Sequence, residues 1–228
     1  MRDFYINKII KVKSTSKRNI VSANFLIKKD NNIRIYYAPF DYINRKAKIM
    51  IVGITPGFQQ MQQSFEAIKL GKSLKEVKDL SSFKGSMRTN LIKYLDQLKI
   101  NNILNIKSWE SLFNINSKYL HATSLVKYPV FYKGKNYSGN NIIKKKLLLD
   151  FMENNFLKEL KMSKNIIIVP LGTVVSNTIA YLNDKFNLNL KNVLHGFPHP
   201  SGLNIRKDKK FNNSKRDMLR VLNVCKKR

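Results

Sequence analysis

The sequence predicts an α/β domain with three layers, in which helices cover both faces of a central four-stranded parallel sheet. Two observations lead to this prediction: short runs of apolar residues recur along the chain, and segments with helical spacing separate them. Such continuous runs are typical of strands buried on both faces, and their alternation with helices is typical of layered α/β domains. No internal repeat or linker divides the chain, so we expect a single domain over residues 1–228.

Residues 1–47 are predicted to form an extension that packs on this domain. The segment Ile33–Tyr37 is typical of a strand, and it follows the turn residues Asp30, Asn31 and Asn32. This order indicates a hairpin or a pair of edge strands. Ala38-Pro39-Phe40-Asp41 then interrupts the extended segment before the first buried strand begins.

The first buried strand lies within Lys48–Phe58, which reads KIMIVGITPGF. Thr55-Pro56-Gly57 ends the apolar run abruptly, and a helical segment follows. A strand that leads through such a turn into a helix places the turn at the carboxyl edge of a parallel sheet, where open α/β folds bind ligands. Glycine also lets a ligand approach the backbone closely. An ordinary connection between a strand and a helix has the same pattern, so this motif alone leaves both interpretations open.

Helices, one strand and one loop are predicted in the middle of the chain. The helical segments are a stretch that follows Gln59–Gln63 and ends near Gly71, a short helix over Ser73–Leu80 and an amphipathic helix over Arg88–Leu98, with a loop at Ser81–Gly85. A second buried strand is predicted over His121–Lys127, closed by Tyr128 and Pro129. The following loop, residues 131–141, combines aromatic rings with lysines and glycines, a composition that suits contact with nucleic acid.

The last part of the chain repeats the alternation. The predicted elements are a long helix over Ile142–Leu160, a third buried strand over Asn165–Leu171, a helix over Thr173–Leu182, a fourth strand from Val193 and a closing helix over Ser214–Val224. The fourth strand leads into a loop in which two prolines and a glycine restrict the backbone around His199. Core packing is a poor explanation for a histidine on such a loop, so we expect residues 197–204 to join residues 53–58 at the same sheet edge.

The charge of the chain is its most unusual global property. Forty-three Lys and Arg residues stand against 14 Asp and Glu residues, which gives a formal net charge of +29. Compositional drift explains lysine in place of arginine but not the scarcity of acids, so we expect a polyanionic partner, most simply nucleic acid. The single cysteine, Cys225, excludes an internal disulfide and a cysteine-clustered metal site. No apolar run approaches the roughly 20 residues of a membrane span, and we expect a cytoplasmic protein.

Two motifs are expected at this sheet edge: Gly53-Ile54-Thr55-Pro56-Gly57 after the first strand and His199-Pro200-Ser201-Gly202-Leu203 after the last. Landmarks between them are Phe83-Lys84-Gly85 before a helix, Thr123–Lys127 on the second strand and Leu171-Gly172-Thr173 after the third. Together, over roughly residues 33–225, they resemble the uracil-DNA glycosylase superfamily. The resemblance implies the fold of that family, a DNA partner whose target base is flipped out, and no cofactor or metal.

The resemblance also implies roles for individual residues. His199 is expected to donate a hydrogen bond to the carbonyl of the departing base, and Thr55 to position the attacking water. The expected base pocket consists of Gly53, Ile54, Pro56, Gly57, Phe58, Phe83 and Ser124. Phe58 or Phe83 would stack on the base, although core packing is an open alternative for each ring. The expected contacts to the DNA backbone are Lys84, Arg88, Lys127, Lys133, Lys135, Ser201, Asn204, Arg206 and Lys207.

Four positions depart from the family pattern. Relatives carry Asp, Asn or Glu where Thr55 stands, and a threonine can only position water, with help from a main-chain carbonyl or Asp41. Ser124 replaces an asparagine that reads the base, Gly57 replaces the tyrosine that uracil-strict members place against the base 5-position, and Gly202 replaces a larger residue. These changes predict a roomier pocket. We therefore expect a bulky 5-modified cytosine, such as the glucosylated hydroxymethylcytosine of phage DNA, which would make excision an antiviral act.

Three alternatives stay open at this point. A uracil or mismatch repair glycosylase would use the same motifs, and a catalytically inactive binder of modified or damaged DNA is favoured by Thr55. A nucleotide-binding α/β protein would use the Gly53–Gly57 turn as a phosphate cradle, but the spacings G-x-x-x-x-G-K-[ST] and G-x-G-x-x-G are absent. The expected enzyme is a monomeric, monofunctional hydrolase that leaves an abasic site, because no motif marks a lysine as a Schiff-base nucleophile.

Overall fold

The computed structural model describes residues 2–83, 85–163, 165–202 and 204–226. Contacts along the backbone group the chain into two compact units. The first unit comprises residues 1–43, 54–82 and 124–156, and the second comprises residues 44–53, 83–123 and 157–228. Within the described ranges, every helix is too short or too polar to span a lipid bilayer.

The helices and strands of the described residues are numbered in chain order. The helices are α1 (Arg2–Ile10), α2 (Lys17–Ile20), α3 (Phe58–Lys69), α4 (Leu74–Ser81), α5 (Ser86–Gln97), α6 (Ile100–Leu104), α7 (Lys146–Asn154), α8 (Phe156–Met162), α9 (Thr173–Lys185) and α10 (Lys207–Lys226). The strands are β1 (Leu26–Asp30), β2 (Ile33–Tyr36), β3 (Ile49–Gly53), β4 (Leu120–Ser124), β5 (Val130–Tyr132), β6 (Lys135–Asn136) and β7 (Ile167–Pro170).

The first unit contains an antiparallel sheet with the strand order β1–β2–β5–β6. The hairpin predicted near the N-terminus is confirmed as β1–β2, in which Asp30 pairs with Ile33 beside the turn. The aromatic ring of Tyr37, just beyond β2, stacks on Tyr5 of α1 with centroids 4.4 Å apart. This contact gives α1 a buried face, because Tyr5 and Ile9 are buried while Phe4 and Ile10 are exposed.

Residues 131–141, predicted as a loop, contain a second hairpin. β5 pairs antiparallel with β2, and β6 pairs antiparallel with β5. The turn between them consists of Lys133 and Gly134, with φ angles of +49° and +74°. Two residues with positive φ are what a tight hairpin turn between twisted strands requires. The run Val130-Phe131-Tyr132 before this Lys-Gly pair was the sequence signal for the hairpin.

The second unit is built on a three-stranded sheet with the order β4–β3–β7. β3 and β7 pair in parallel, with Ile51 opposite Val169. The predicted fourth strand is not confirmed, since Val193 makes only an isolated parallel bridge to Ile168. The chain turns at once after this bridge, where the N–H of His195 donates to the carbonyl of Val193 at 3.0 Å.

An aromatic cluster anchors the end of this sheet in the core of the second unit. Tyr94 of α5 stacks on Phe211 of α10 with centroids 4.6 Å apart and meets Phe197 edge-on at 6.0 Å. All three rings are buried, and each such side chain contributes about 1.5–3 kcal/mol through burial. Because Phe197 comes two residues before His199, the cluster fixes the base of the loop that carries this histidine.

Several predicted boundaries need correction. The long helix predicted over residues 142–160 is divided into α7 and α8 at Asn155, which has φ −121° and ψ −66°. α10 begins at Lys207 instead of Ser214, and β4 ends at Ser124 instead of Lys127. The short helix predicted from Ser73 is confirmed as α4, with Ser73 as its N-cap.

Candidate active site

Thr55 lies in the turn after β3, and main-chain groups of the first unit hold its hydroxyl. The hydroxyl donates to the carbonyl oxygen of Tyr128 at 2.7 Å and accepts the N–H of Val130 at 3.0 Å. A threonine hydroxyl has one hydrogen to donate and two lone pairs. One lone pair therefore remains to accept a hydrogen bond from water. The side chain can hold such a water, but it cannot remove a proton from it.

The space beside Gly57, which the sequence predicted to be open, holds the side chain of Asn136 from β6. A Cβ atom on Gly57 would lie 3.4 Å from Nδ2 of Asn136. Oδ1 of Asn136 accepts the N–H of Phe58 at 3.1 Å. Gln60 braces the same turn, because its Oε1 accepts the N–H of Gly57 at 3.0 Å. The hairpin β5–β6 therefore reaches the first motif, and Nδ2 of Asn136 is the polar group nearest to a side chain at position 57.

Four other predicted pocket residues belong to the first unit. Pro56 is buried, while Ile54, Phe58 and Ser124 are half-buried. The carbonyl of Ile54 accepts the N–H of Val126 at 3.1 Å, which ties the turn to the segment after β4. The partial exposure of Phe58 leaves its ring accessible for stacking. Gly53, the last residue of β3, belongs to the second unit.

Asp41, considered from the sequence as a helper of Thr55, is already surrounded by partners. Its carboxylate accepts the hydroxyls of Tyr37 at 2.8 Å and Tyr128 at 2.5 Å, and it pairs with Nζ of Lys127 at 3.4 Å. Burial, and then the negative charge of Asp41, raise the pKa of both tyrosines. Their hydroxyls therefore stay protonated and keep donating to the carboxylate. Lys127, expected at the DNA backbone, is engaged in this ion pair.

His199 of the second unit has a neutral imidazole with a defined orientation. Burial lowers its pKa below the ordinary value of 6.5. The N–H of Ser201 donates to Nδ1 of His199 at 3.3 Å, so Nδ1 is unprotonated and the ring hydrogen is on Nε2. The imidazole consequently offers one N–H donor. This is the group that a carbonyl oxygen with growing negative charge requires.

Two asparagines fix the backbone around this histidine. The amide of Asn204 donates to the carbonyl of His199 at 3.0 Å, and the amide of Asn90 on α5 donates to the carbonyl of Pro200 at 2.9 Å. Asn204, expected at the DNA backbone, therefore has a role inside the loop. Asn90 was missed by the sequence analysis, because an asparagine within an amphipathic helix gives no signal of its partner.

Two glycines bring neighbouring segments close to the same loop. Gly172, at φ +90°, would place a Cβ atom 3.1 Å from Cβ of His199. At Gly202 a Cβ atom would lie 3.3 Å from Oγ of Ser86 on α5. The rim at Gly202, predicted to be open, is thus in contact with Ser86.

Phe83 is a core residue of the second unit. It is 7% exposed, has a φ of +44° and meets Phe113 edge-on with centroids 6.5 Å apart. Nε of Arg88 donates to the carbonyl of Phe83 at 2.6 Å, and the guanidinium lies 4.7 Å from the Phe113 centroid. Phe83 therefore packs in the core, and Phe58 remains the candidate ring for stacking on the base. Lys84, the next predicted DNA contact, lies outside the described residues.

The predicted DNA contacts thus divide into two sets. Lys133, Lys135 and Arg206 are exposed. The others in the described ranges have partners inside the protein or lie partly buried; they are Arg88, Lys127, Ser201, Asn204 and Lys207. Nζ of Lys207, for example, donates to the carbonyl of Asn204 at 3.3 Å. Across the described ranges, no three His, Cys, Asp or Glu side chains come together as a metal site.

Comparison with known proteins gives three results. The family model described as "Uracil DNA glycosylase superfamily" matches residues 40–223 of this chain. The uncharacterized protein YoxB of Bacillus subtilis (strain 168) is 34% identical over 221 residues, which cover 92% of this chain and 86% of YoxB. A crystal structure of wild-type SMUG2 from Pedobacter heparinus superimposes with a TM-score of 0.50 at 13% identity, covering 100% of this chain and 98% of that one. At 13% identity, the similarity to SMUG2 shows a shared fold and nothing more.

Proposed function

Because this chain belongs to the uracil DNA glycosylase superfamily, we propose that it is a monofunctional DNA glycosylase that hydrolyses the N-glycosidic bond of a flipped-out pyrimidine. The superfamily match spans both motifs that the sequence pointed to, Gly53–Gly57 and the loop of His199. A DNA partner agrees with the net charge of +29. The product would be an abasic site in the DNA and a free base.

The neutral imidazole of His199 is the observation that best supports this function. As the bond between the sugar C1′ and the base nitrogen breaks, its electron pair leaves with the base and adds negative charge to the base carbonyl. The N–H at Nε2 of His199 would donate to that oxygen. Donors of this kind are typically worth on the order of 10²–10³ in rate. The fixed loop supports the role, since an imidazole already in position needs no reorganisation during the reaction.

Water completes the reaction by forming a bond to C1′ and releasing its proton to solvent. Thr55 would position this water through the lone pair that remains on its hydroxyl. The sugar carries positive charge at this stage, so a weakly activated water is sufficient if it is well placed. Phe58 would stack on the extruded base, and Ser124 would contact its polar edge.

For the substrate, we propose a cytosine with a bulky polar group at carbon 5, such as glucosylated hydroxymethylcytosine. Two features support it: Gly57 carries no side chain where uracil-strict relatives place a tyrosine, and the amide of Asn136 stands at that position. An opened pocket tolerates a substituent without attracting it, whereas an amide donor can bind a sugar hydroxyl. Excision of such a base would attack phage DNA, so the enzyme would serve antiviral defence in the cytoplasm, as a monomer.

The test is release of the base from defined DNA. Labelled duplexes that contain uracil, a mismatched thymine, hydroxymethylcytosine or its glucosylated form are incubated with the enzyme and then treated with alkali, which breaks abasic sites. We expect breaks in the glucosylated duplex first, with the free base identified by mass spectrometry. Breaks only at uracil would favour the repair enzyme. Shifted DNA without breaks in any duplex would favour the inactive binder that Thr55 also permits.

A further inference from the structure

A groove of about 510 Å³ opens on the surface of the first unit, along α1, α2 and the turn Ala23–Phe25. We call it the basic groove, and its lining residues are Lys8, Lys11, Val12, Lys13, Arg18, Asn19, Ser22, Asn24 and Phe25. Four of these side chains carry positive charge, and three more are neutral polar groups. Among the residues that the structure describes, no acidic side chain lines it. A surface of this composition attracts anions.

Most of the charge in the basic groove is available to a ligand. Lys11, Lys13 and Arg18 are exposed and make no ion pair or side-chain hydrogen bond within the described part of the chain. Lys8 differs, because its Nζ lies 4.3 Å from the centroid of Phe4 and donates to the carbonyl of Asn24 at 3.4 Å. Lys8 therefore helps to shape the groove, and the other three cations are presented to solvent.

The wall of the groove is a folded part of the first unit. Ile9 and Ile20, which lie between groove residues in the sequence, are fully buried, and Phe25 in the lining is nearly so. The hydroxyl of Thr15 donates to Glu66 of α3 at 2.9 Å, which fastens the segment between α1 and α2. Cations on a fixed surface bind a partner at a lower entropic cost than cations on a flexible tail.

The basic groove lies outside the part of the chain that the superfamily explains, since that match begins at residue 40. It is nevertheless connected to the candidate active site within the first unit. Nζ of Lys17 on α2 donates to the carbonyl of Gly134 at 3.2 Å, in the turn of the hairpin that carries Asn136. The segment that forms the groove therefore also supports the hairpin beside Gly57.

We propose that the basic groove is a second binding site for the phosphate backbone of DNA, beyond the site that takes the flipped base. Its four cations line an open surface, which suits a chain of phosphates better than a single anion, since a single anion would need an enclosed site with convergent donors. This site adds affinity without reading the base. It requires neither Thr55 nor His199, so it stands apart from the proposed reaction.

The experiment compares two triple variants that remove equal charge. The groove variant is Lys11→Gln/Lys13→Gln/Arg18→Gln, and the control variant is Lys28→Gln/Lys29→Gln/Arg34→Gln, whose residues are exposed on β1 and β2. Binding of a labelled, unmodified duplex of about 30 base pairs is measured over a series of salt concentrations, since each phosphate contact contributes about 0.9 to the log–log slope. Thermal unfolding of each variant, with and without inorganic phosphate, is measured alongside.

The slope to compare is that of the logarithm of the binding constant against the logarithm of the salt concentration. We expect it to become shallower by about two to three in the groove variant and by less than about one in the control variant. The single-turnover excision rate at saturating enzyme should change less than about twofold in both, because neither set belongs to the motifs. Equal slopes in the two variants would overturn the proposal. A second outcome would also overturn the proposal. If phosphate raises the melting temperature of the parent and the control variant but not of the groove variant, and the salt slope of the groove variant is unchanged, the groove is a site for a small anion. Because the duplex has no target base, a failure of the proposed reaction does not affect the result.

Discussion

A Cβ atom on Gly172 would lie 3.1 Å from the Cβ of His199, and Gly172 itself has a φ of +90°. The turn after β7 and the histidine loop therefore meet so closely that a methyl group on Gly172 would push His199 by a few tenths of an ångström. The N–H of Gly172 also donates to the carbonyl of Phe197 at 3.1 Å, which closes the contact from the other side. The orientation of the imidazole thus depends on a glycine in the turn between β7 and α9.

Gly172→Ala should lower both stability and activity. The positive φ costs about 1 kcal/mol or more for alanine, and the methyl group pushes against His199. Gly71→Ala is the matched control, because Gly71 has a φ of +71° but nothing within 4 Å of a Cβ atom. We expect both variants to unfold at lower temperature, and only Gly172→Ala to lose single-turnover rate. Equal rates in the two variants would show that the contact does not position the imidazole.

His199→Ala should reduce the single-turnover rate by about two orders of magnitude, because the donor to the leaving base is lost. His199→Gln should retain part of the rate, since its amide can still donate. Folding and affinity for DNA should remain nearly unchanged in both, because the side chain is only half-buried and other residues hold the backbone. Full activity of His199→Ala would falsify the assigned role.

The excision rate should be constant around neutral pH and fall only below pH 6.5, since the pKa of His199 is lowered from that ordinary value. Burial lowers the pKa of His199, so the imidazole is neutral at pH 7 and takes up a proton only at lower pH. That proton goes to Nδ1, where it opposes the N–H of Ser201 and disturbs the loop. The folded protein should lose stability over the same range, because the unfolded chain binds the proton more readily.

A pH profile of single-turnover rates, with matching thermal unfolding, checks this expectation. His195→Gln serves as the control, because burial lowers the pKa of His195 as well. The acid limb of the rate should persist in that variant and disappear in His199→Gln. If the acid limb disappears in His195→Gln instead, the titrating group is His195, whose Nδ1 lies 2.7 Å from Oγ of Ser176.

Asn136→Ala should lower the excision of glucosylated hydroxymethylcytosine relative to that of uracil, because the amide beside Gly57 is removed. Gly57→Tyr should abolish the activity on the bulky base. Its backbone, at φ −83° and ψ 175°, accepts any residue, but the ring must take the place of the Asn136 side chain. Asn140→Ala, on an exposed residue further along the same segment, is the control. An unchanged ratio of the two rates in Asn136→Ala would remove Asn136 from substrate selection.

Thr55→Val should destabilise the protein by about 1–3 kcal/mol, because the carbonyl of Tyr128 loses a donor and the N–H of Val130 loses its acceptor. Thr55→Ser keeps the hydroxyl and should keep both stability and rate. Chemical denaturation and single-turnover assays measure the two effects. If Thr55→Val is as stable as the parent but inactive, the hydroxyl serves the reaction alone.

The sequence was sufficient for the elements whose signals are local. The apolar run before Gly53 and the one before Gly172 are confirmed as β3 and β7, and the short helix predicted from Ser73 is confirmed as α4. In each case neighbouring residues carry the whole signal, either as continuous burial or as a hydrogen bond within one turn.

The remaining differences arise from long-range contacts. Asn136 reaches Phe58 across 78 positions of sequence, and Asn90 reaches Pro200 across 110. No spacing rule links such residues, because their contact depends on how distant elements pack. The prediction of a fourth strand was not confirmed for a similar reason. Val193 and Leu194 have the composition of a strand, but the turn at His195 ends their pairing with β7. Phe83 was ambiguous because a ring that stacks on a base and a ring in a core have the same sequence signal.

The hairpin turn at Lys133 and Gly134 has a consequence for how the surroundings of Gly57 can change. Both residues are exposed, and a Cβ atom on Gly134 would have nothing within 4 Å. Insertions at such a turn leave the strand pairs of β5 and β6 intact, since the added residues extend into solvent. The side chain beside Gly57 is thus supplied by a segment that can lengthen or be exchanged independently of both motifs. Changes at this turn would therefore alter what stands beside Gly57 and leave the residues of both motifs in place.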